Sequence, residues 1–501
     1  MKAHLMYKDR DFDLQKELPV NQEELIQDLE LNTLFNAMAL GDEFLLEVVK
    51  KAVLTSLNDP DEIRYRQDIL KDCIKNPSTV REIYSIPLES IKNKRKRWLG
   101  IFSRYPGAIL DSSIRMLSMF VELLKKLRHI ADENADNFKS EGFRTFFSMI
   151  KKELDDKFFS LVEAHLKRLN FPDGVLVSAE LGRGNEGTNY VLRKPNEKNG
   201  SWIKRIISPK QLSYSFYISP RDEHGAEALS ELRDRGINSV ANALAQSADH
   251  IDSFFEMLKV ELAFYMGSLN LYEQLNQISA PVSFPVPLIP GKGKLSFKQL
   301  CDPSFALTVK HKVVGNNLEE ASIRLMIITG ANQGGKSTFL RSIGSAQLMM
   351  QCGMFTAAEA FSAEICSGLF THYKREEDTA MESGKLDEEL KRMSTIVDNL
   401  RPDSIVLFNE SFAATNEREG SEIAGQIVNA LLEKNVKVFF VTHLYAFANE
   451  FAEKEHSNNL FLRAQRKPDG VRTFKLIKGE PLQTSYGEDL YQGIFKAEKR
   501  V

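Results

Sequence analysis

Residues Gly330 to Ser337 have the spacing G-x-x-x-x-G-K-[ST], with a suitable residue at every fixed position. In this pattern the glycines let backbone N–H groups turn inward around phosphate oxygens. Lys336 would place a positive charge at the β- and γ-phosphates, and the hydroxyl of Ser337 would bind Mg²⁺. The spacing predicts a P-loop that binds a nucleoside triphosphate, with a chance glycine-rich turn as the alternative.

The segments on either side of this loop are the elements that a P-loop needs. Leu325–Thr329 is a short apolar run, which predicts a buried strand of a parallel sheet. The residues from about Lys336 to Gln351 predict a helix whose positive end would point at the phosphates. Strand, loop and helix follow one another in the required order, which favours a P-loop over a chance turn.

Two further apolar runs precede polar residues suited to hydrolysis. Ser404–Phe408 is followed by Asn409 and Glu410, and Lys437–Val441 is followed closely by His443. Ligands of an open α/β sheet bind at the carboxyl ends of its strands, so these side chains should point toward the γ-phosphate. We expect Glu410 to orient the attacking water and His443 to sense or stabilise the γ-phosphate. A merely capping carboxylate is the alternative for Glu410.

Composition limits the function classes. The length of 501 residues predicts about three domains. Since 66 Lys and Arg stand against 69 Asp and Glu, a nucleic-acid contact would need a local basic patch. The four cysteines lack C-x-x-C spacing, which argues against a zinc site or a disulfide framework. The start has no apolar leader segment, and no stretch is long and apolar enough to span a membrane, which predicts a cytoplasmic protein with no membrane partner.

The first half of the chain is rich in helical periodicity. Apolar residues recur at three- and four-residue spacing in Glu43–Leu57, Asp111–Ile130 and Gly142–Leu169. From Ile237 to Leu269 the period is close to 3.5, which predicts one long helix. Such a helix would act as a lever that ends where the nucleotide-binding half begins, although packing alone would give the same pattern.

Between about residues 172 and 218, alternating and aromatic runs separated by glycines predict a small antiparallel β insertion. The last of these runs is Tyr214–Ile218. From Tyr190 to Lys210 six cations face one acid, which is typical of a surface that binds DNA phosphates. An ordinary exposed hairpin explains the same residues equally well. The cations that we assign to DNA contacts are Arg193, Lys194, Lys204 and Arg205.

Four motifs of the second half together resemble the ATPase domain of the MutS-type mismatch-repair family. They are ITGANQGGKSTFLR, LFNESFAATNEREG, the VTH tripeptide and LIKGEPLQTSYG. The first half is similar to the opening of that family's helical core through Leu34-Phe35-Asn36 and the stretch from Asp61 to Asp68. The match is specific in the last part of the chain and loose in the first half.

This resemblance implies ATP and Mg²⁺ as cofactors and gives roles to named residues. Glu410 would activate water, and His443 would act as a nucleotide switch. In a head-to-tail homodimer, Ser383 of the triplet Glu382-Ser383-Gly384 would approach the other subunit's γ-phosphate. The residues implied in ATP binding are Gly330, Ala331, Asn332, Gln333, Gly334, Gly335, Lys336, Ser337 and Thr338.

Two departures from the family pattern concern the nucleotide. The Walker B aspartate is replaced by Asn409, so Mg²⁺ would be held by Ser337 and, through water, by this neutral amide. The loop on the adenine side has Val313 where the family usually has an aromatic residue that stacks on the base.

Other departures concern the ligand of the arms. No mismatch-reading domain is expected, because core-like sequence begins soon after Met1. The Phe-x-Glu triplets at 254–256 and 451–453 fall in segments with helical periodicity, so we expect neither to contact a mispaired base. No nuclease-like extension is expected after Ser485-Tyr486-Gly487.

The predicted fold is multidomain, with an all-α core and lever arms, a small β insertion and an α/β P-loop (ABC-like) ATPase domain. The predicted boundaries are a tail at residues 1–25, the helical core and lever at 26–278, and the ATPase domain at 279–501. The predicted function is a dimeric, ATP-hydrolysing DNA clamp that acts in DNA repair or recombination without mismatch reading. The alternative is a non-hydrolysing scaffold that binds ATP and engages a protein partner through its arms.

Overall fold

A computed structural model describes residues 1–97, 105–172, 174–194, 214–291, 294–320, 323–375, 384–454, 457–467 and 470–482. The chain divides into two compact units. The helical unit comprises residues 1–3, 78–137 and 144–259, and the sheet unit comprises residues 4–77, 138–143 and 260–501. The architecture is rich in helices and contains mixed sheets, which agrees with a multidomain fold.

The described helices, in chain order, are α1 (Gln22–Asp28), α2 (Leu31–Ala39), α3 (Glu43–Leu54), α4 (Pro60–Lys75), α5 (Pro77–Arg97), α6 (Pro106–Asn134), α7 (Glu141–Glu153), α8 (Asp156–Leu169), α9 (Glu223–Gln277), α10 (Pro303–Val309), α11 (Lys336–Gln351), α12 (Lys385–Asn399), α13 (Glu417–Glu433) and α14 (Tyr445–Glu453). The described strands are β1 (Leu176–Leu181), β2 (Gly187–Arg193), β3 (Val286–Leu288), β4 (Leu295–Leu300), β5 (Asn316–Glu320), β6 (Leu325–Gly330), β7 (Ala360–Glu364), β8 (Leu369–Tyr373), β9 (Ile405–Asn409), β10 (Lys437–Val441), β11 (Asn459–Arg466) and β12 (Arg472–Lys478).

The long helix predicted from the 3.5-residue period is confirmed as α9, a single helix of 55 residues. Its apolar positions are buried at the predicted spacing, for example at Ile237, Phe255 and Leu262. The boundary between the two units falls within this helix, after Lys259. This burial stabilises the helix from Ile237 onward, since packing supplies most of the stability of helices in proteins, whereas Leu229 and Leu232 near its start are exposed.

Two of the segments with helical periodicity are helical, with ends that the periodicity does not show. Gly142–Leu169 is not one helix but two, because Asp155 has an extended backbone and its side chain accepts a hydrogen bond from the N–H of Phe158 at 2.7 Å. That contact caps the start of α8 and breaks the run there. In the periodic segment Glu43–Leu57, the helix ends at Leu54.

The β insertion is present in part. Strands β1 and β2 pair antiparallel, as the sequence predicts, and Leu176 lies opposite Arg193. Tyr214–Ile218 was expected to be β-structure, but it is not a strand. The rings of Tyr214, Phe216 and Tyr217 are exposed, so no packing supports the strand that their β propensity favours. Residues 195–213, including Lys204 and Arg205, lie outside the described ranges.

The larger sheet of the sheet unit has the described strand order β12-β11-β6-β10-β9-β8. Strands β11, β6, β10, β9 and β8 are parallel, and β12 is antiparallel to β11. The strands predicted before the glycine-rich loop (Gly330–Ser337), before Glu410 and before His443 are therefore confirmed as β6, β9 and β10, and β10 lies between the other two. Because all three run in one direction, their carboxyl ends meet at one edge of the sheet.

A core of buried apolar residues fixes these strands. Every residue of β6 is buried. The rings of Phe408 on β9 and Phe440 on β10 stack with centroids 4.8 Å apart. A smaller mixed sheet has the described order β3-β7-β4-β5.

Residues 4–12, which we call the N-terminal segment, are held inside the sheet unit by buried polar side chains. Arg66, which is completely buried, donates from Nε to the carbonyl of Met6 at 2.8 Å and from Nη1 to the carbonyl of Cys352 at 3.2 Å. Glu261 of α9 accepts hydrogen bonds from the N–H groups of Leu5 and Phe12. Burial raises the pKa of Glu261 to about 7.

All four cysteines are buried as free thiols. Burial raises the pKa of Cys301, Cys352 and Cys366 to about 12, and raises that of Cys73 well above its ordinary value. Among the described helices, none combines the length and the apolar character needed to cross a membrane.

Candidate functional site

The glycine-rich loop connects β6 to α11 in a shape that requires glycine. Gly330 and Gly335 have φ of +105° and +88°, a region that side chains disfavour. A Cβ on Gly334 would lie 2.6 Å from the Cβ of Ala464 on β11. The loop therefore packs directly against the neighbouring strand, and its last glycine is the N-cap of α11.

Lys336 is buried at the start of α11, with 5% of its surface exposed. Its Nζ donates to the carbonyls of Gly330 at 2.9 Å and Ala331 at 3.1 Å. Burial, opposed by the charge of Glu410 and reinforced by that of Arg472, lowers the pKa of Lys336 to about 8. The ammonium thus sits inside the curve of the loop, where an anion would relieve its desolvation.

Ser337 and Asn409, the two residues predicted to serve Mg²⁺, are in direct contact. The hydroxyl of Ser337 donates to Oδ1 of Asn409 at 3.0 Å. Within the described ranges, no group of three or more His, Cys, Asp or Glu side chains could hold a metal ion. A hydroxyl and an amide oxygen suit Mg²⁺, which keeps most of its waters in nucleotide sites and takes few protein ligands.

Glu410 and His443 form a pair at the carboxyl ends of β9 and β10. Nε2 of His443 lies 2.9 Å from Oε1 of Glu410, and about a third of each side chain is exposed (32% and 34%). The hydrogen bond with His443 lowers the pKa of Glu410 against the opposing effect of burial. Glu410 is therefore an ionised base at neutral pH with access to water.

Glu410 starts an unusual turn. Its φ is +56° and that of Phe412 is +61°, which are left-handed values that cost energy in residues with a side chain. The N–H of Glu410 donates to the carbonyl of Val441 at 2.8 Å, and the N–H of Phe412 donates to Oε2 of Glu389 at 3.0 Å. These contacts from β10 and α12 hold the turn in its strained shape.

A buried histidine completes this arrangement, which we call the supporting network (His372, Glu389, Ser411 and Phe412). Nε2 of His372 lies 3.0 Å from the carbonyl of Glu389, and Nδ1 lies 2.8 Å from the hydroxyl of Ser411. Because a carbonyl only accepts, Nε2 must carry the proton. Burial lowers the pKa of His372 to about 4, so the ring is neutral, and the hydroxyl of Ser411 donates to the main-chain carbonyl of His372 at 2.5 Å.

A cavity of about 380 Å³ opens beside the glycine-rich loop. Val313, the residue expected on the adenine side, lines it together with Thr338 and Gln333. Phe474 of β12, which the sequence reasoning missed, also lines the cavity and lies against Gly335. An aromatic surface is thus present although Val313 supplies none. Nothing local in the sequence connects Phe474 with a loop so far away in the chain.

The other predicted site residues are Asn332 of the loop, Ser383 and the cations of the β insertion. Asn332 is half-buried in the loop, and Ser383 lies outside the described ranges. Arg193, at the end of β2 in the helical unit, donates to the hydroxyl of Ser178 at 2.8 Å, and Lys194 is exposed beside it. The DNA assignment therefore depends on two described cations, with the other two outside the described ranges.

Two family models match the chain. Residues 58–278 match the MutS2 N-terminal domain, and residues 326–495 match MutS domain V. The second match includes the glycine-rich loop, Asn409, Glu410 and His443. The first includes most of the described helices of the helical unit.

Similar curated proteins include MutS protein homolog 4 of Homo sapiens, which is 23% identical over 84% of this chain and 44% of its own length. The protein of the same name from Mus musculus is 26% identical over 83% of this chain and 43% of its length. The DNA mismatch repair protein MutS of Syntrophomonas wolfei is 24% identical over 88% of this chain and 55% of its length. The chain therefore spans about half the length of these relatives.

Proposed function

Because the chain belongs to the MutS family, we propose that it binds ATP with Mg²⁺ at the glycine-rich loop, hydrolyses the ATP and couples the nucleotide to DNA binding. We assign the ATPase domain to residues 279–501, as the sequence predicts. The observation that carries the proposal is the convergence of Lys336, Ser337 and the Glu410–His443 pair at one edge of the sheet.

The proposed chemistry follows from the atoms at this edge. Lys336 would exchange its bonds with the loop carbonyls for phosphate oxygens and neutralise their charge. Glu410 would hold a water molecule and accept its proton on a carboxylate oxygen. Mg²⁺, when bound, would offset negative charge on the phosphates. His443 would exchange its bond with Glu410 for a γ-phosphate oxygen, so the pair would report whether that phosphate is present.

Asn409 predicts slow turnover. Its amide oxygen can accept a hydrogen bond from water on the metal, but it adds no negative charge, so Mg²⁺ would be held less tightly than by a carboxylate. Glu410 stays ionisable beside it. Hydrolysis should therefore be slowed rather than lost.

A single-turnover ATPase assay with the full chain tests whether the protein hydrolyses ATP. Glu410→Gln should retain ATP and Mg²⁺ binding while losing hydrolysis, because the amide cannot accept the proton of water. Lys336→Ala should lose tight ATP binding, since a charged hydrogen bond contributes about 1.5–3 kcal/mol and more when buried. Turnover equal to a no-enzyme control in the natural protein would contradict hydrolysis. ATP binding without turnover would favour the scaffold.

DNA is the proposed ligand of the arms, in a head-to-tail homodimer in which Ser383 of one subunit reaches the other subunit's γ-phosphate. The relatives named as DNA mismatch repair proteins support DNA as the class of ligand. Reading of mispaired bases is not part of the proposal. Both Phe-x-Glu triplets lie in helices, and Phe254, Phe255 and Phe451 are buried where no base could reach them.

Charge reversal tests the DNA proposal. Reversing Arg193, Lys194, Lys204 and Arg205 should weaken DNA binding for all sequences and reduce the salt dependence, because each lost phosphate contact removes about 0.9 from the log–log slope. Reversal of four cations outside the insertion, Lys151, Lys152, Lys167 and Arg168 on α7 and α8, is the matched control. Equal loss in both variants would indicate non-specific charge and favour the protein-binding scaffold.

A further inference from the structure

The hairpin formed by β11 and β12 extends beyond the glycine-rich loop. In the parallel pairing of β11 with β6, Ala464 lies opposite Gly330, the last residue of β6. Two residues further along β11, Arg466 lies opposite Arg472, the first residue of β12. Arg472 is therefore at the level of the loop, and Phe474, two residues further along β12, lies against Gly335.

Arg472 has donor atoms that are buried and unused. Its Nε and Nη2 are shielded from solvent and have no hydrogen-bond partner among the described residues. Leaving such donors unsatisfied is costly, and more so for a charged group. A guanidinium with unused donors, close to a loop of the phosphate-binding type, can bind an anion that has several acceptor oxygens.

The positive charge near Arg472 also favours binding of an anion at this position. Lys336 is near enough for the two positive charges to disfavour each other, and Arg472 lowers the pKa of Lys336 as a result. Like charges in a partly buried site destabilise the protein unless an anion lies between them. The buried, unused donors of Arg472 and its position at the level of the loop are the geometric observations, and the charge of Lys336 agrees with them.

The sheet order indicates which part of a nucleotide would meet Arg472. Glu410 and His443, which we assign to the γ-phosphate, follow β9 and β10 on one side of β6. Arg472 begins β12, on the opposite side. The groups nearest to it would be the phosphates that ATP and ADP share.

We propose that Arg472 is a further nucleotide-binding residue that donates from Nε and Nη2 to the α- or β-phosphate oxygens. This inference rests on the proposed function, since it assumes that a nucleotide occupies the glycine-rich loop. It gives the β11–β12 hairpin a direct part in nucleotide binding, through Arg472 to the phosphates and through Phe474 at the cavity.

The test compares ATP and ADP affinities of the unsubstituted 501-residue chain, Arg472→Met and Arg466→Met. Methionine keeps much of the length of arginine without its donors or charge. Arg466 is the matched control, because it is the cross-strand partner and its loss changes the net charge equally. Arg472→Met should raise the Kd for ATP and for ADP by similar factors, roughly 10- to 100-fold for a charged hydrogen bond, and Arg466→Met should change both much less.

A second measurement separates ligand binding from a purely structural role. Without nucleotide, Arg472→Met removes unsatisfied donors and a repulsive charge, so its thermal unfolding temperature should equal or exceed that of the natural protein. A lower unfolding temperature would indicate a structural role and overturn the inference.

The measured affinities for ATP and ADP also decide whether Arg472 binds the nucleotide. Unchanged affinities in Arg472→Met, or equal losses in both variants, would overturn the inference and leave the proposed function intact. Loss of affinity for ATP but not for ADP would place the contact at the γ-phosphate and overturn the assignment of Arg472 to the α- or β-phosphate. A natural protein that binds neither nucleotide would overturn both the inference and the proposed function.

Discussion

Asn409 determines how much negative charge the protein would offer to a bound Mg²⁺. It accepts the hydroxyl proton of Ser337 through an oxygen that carries no net charge. The adjacent carboxylate of Glu410 is engaged by His443 instead. The proposed metal site would therefore offer two neutral oxygens, from Ser337 and Asn409, and a cation bound there would depend mainly on the phosphates of the nucleotide for its negative charge.

We expect Asn409→Asp to lower the Mg²⁺ concentration that gives half-maximal ATP turnover by about tenfold, because an ionised acceptor adds roughly 1–2 kcal/mol of attraction. Single-turnover rates over a Mg²⁺ series measure this value. Asn399→Asp, at the end of α12, has the same charge change away from the site and should leave it unaltered. A Mg²⁺ requirement equal to that of the natural protein would exclude Asn409 from the metal site.

At the scale of secondary-structure elements, the position of Glu410 depends on α12 as much as on its own strand. The strained turn after β9 is held by a bond from Phe412 to Glu389, and His372 of β8 ties Ser411 to the same helix. The helix begins directly after the triplet that contains Ser383. Movement of its first turn would therefore reach Glu410 through the supporting network.

We expect Glu389→Leu to lower kcat for ATP at least tenfold with little change in KM, because losing the acceptor for the Phe412 N–H would relax the turn and displace Glu410, whereas the glycine-rich loop is untouched. Steady-state kinetics provide both values. Glu389→Gln retains an acceptor oxygen and should keep kcat close to that of the natural protein. Parallel changes in kcat in the two variants, or a rise in KM alone, would argue against a positioning role.

Local patterns predicted much of this fold. Helix α11 has the predicted ends, and β10 coincides with Lys437–Val441, because apolar runs and periodicity are local signals. Contacts between distant parts of the chain were not predictable in this way. Phe474 lies against the loop, and Arg472 lies at its level, only because β12 pairs with β11. His372 resembles any core residue in the sequence, and its contacts with Ser411 and Glu389 appear only in the fold.

At the scale of the whole molecule, the N-terminal segment is an integral part of the sheet unit. Its backbone is satisfied by Arg66 and Glu261, and Arg66 also binds Cys352 immediately after α11. The far end of the helix that starts at the glycine-rich loop is therefore tied to the beginning of the chain. A buried carboxylate in this position makes folding sensitive to pH.

Glu261 has a pKa that is raised from 4.5 to about 7 in the folded protein, chiefly by burial and also by Asp11. Between these values the folded state keeps a proton that the unfolded state has released, so this group lowers the free energy of unfolding as pH rises from 4.5 to about 7. The effect reaches at most about 3 kcal/mol, at 1.36 kcal/mol per unit, and is constant above that range.

Glu261→Gln should remove this dependence while retaining an acceptor for the Leu5 N–H. Relative to the natural protein, we expect the variant to gain stability from pH 5 to pH 8, by up to about 3 kcal/mol. Denaturant unfolding at both pH values measures the difference. Glu256→Gln, an exposed position on the same helix, should show no such trend. A constant difference for Glu261→Gln would mean that the carboxylate is ionised in the folded protein throughout.

The burial of all four cysteines has a practical consequence for measuring motion. Thiols with raised pKa values and no access to solvent react slowly with maleimides, because the thiolate is the reactive species. A cysteine introduced at an exposed position, such as Leu229 on α9, would then be the dominant site of labelling without removal of the native residues. The natural sequence is therefore a ready background for attaching a fluorophore or a spin label to the long helix and following it as nucleotide is added.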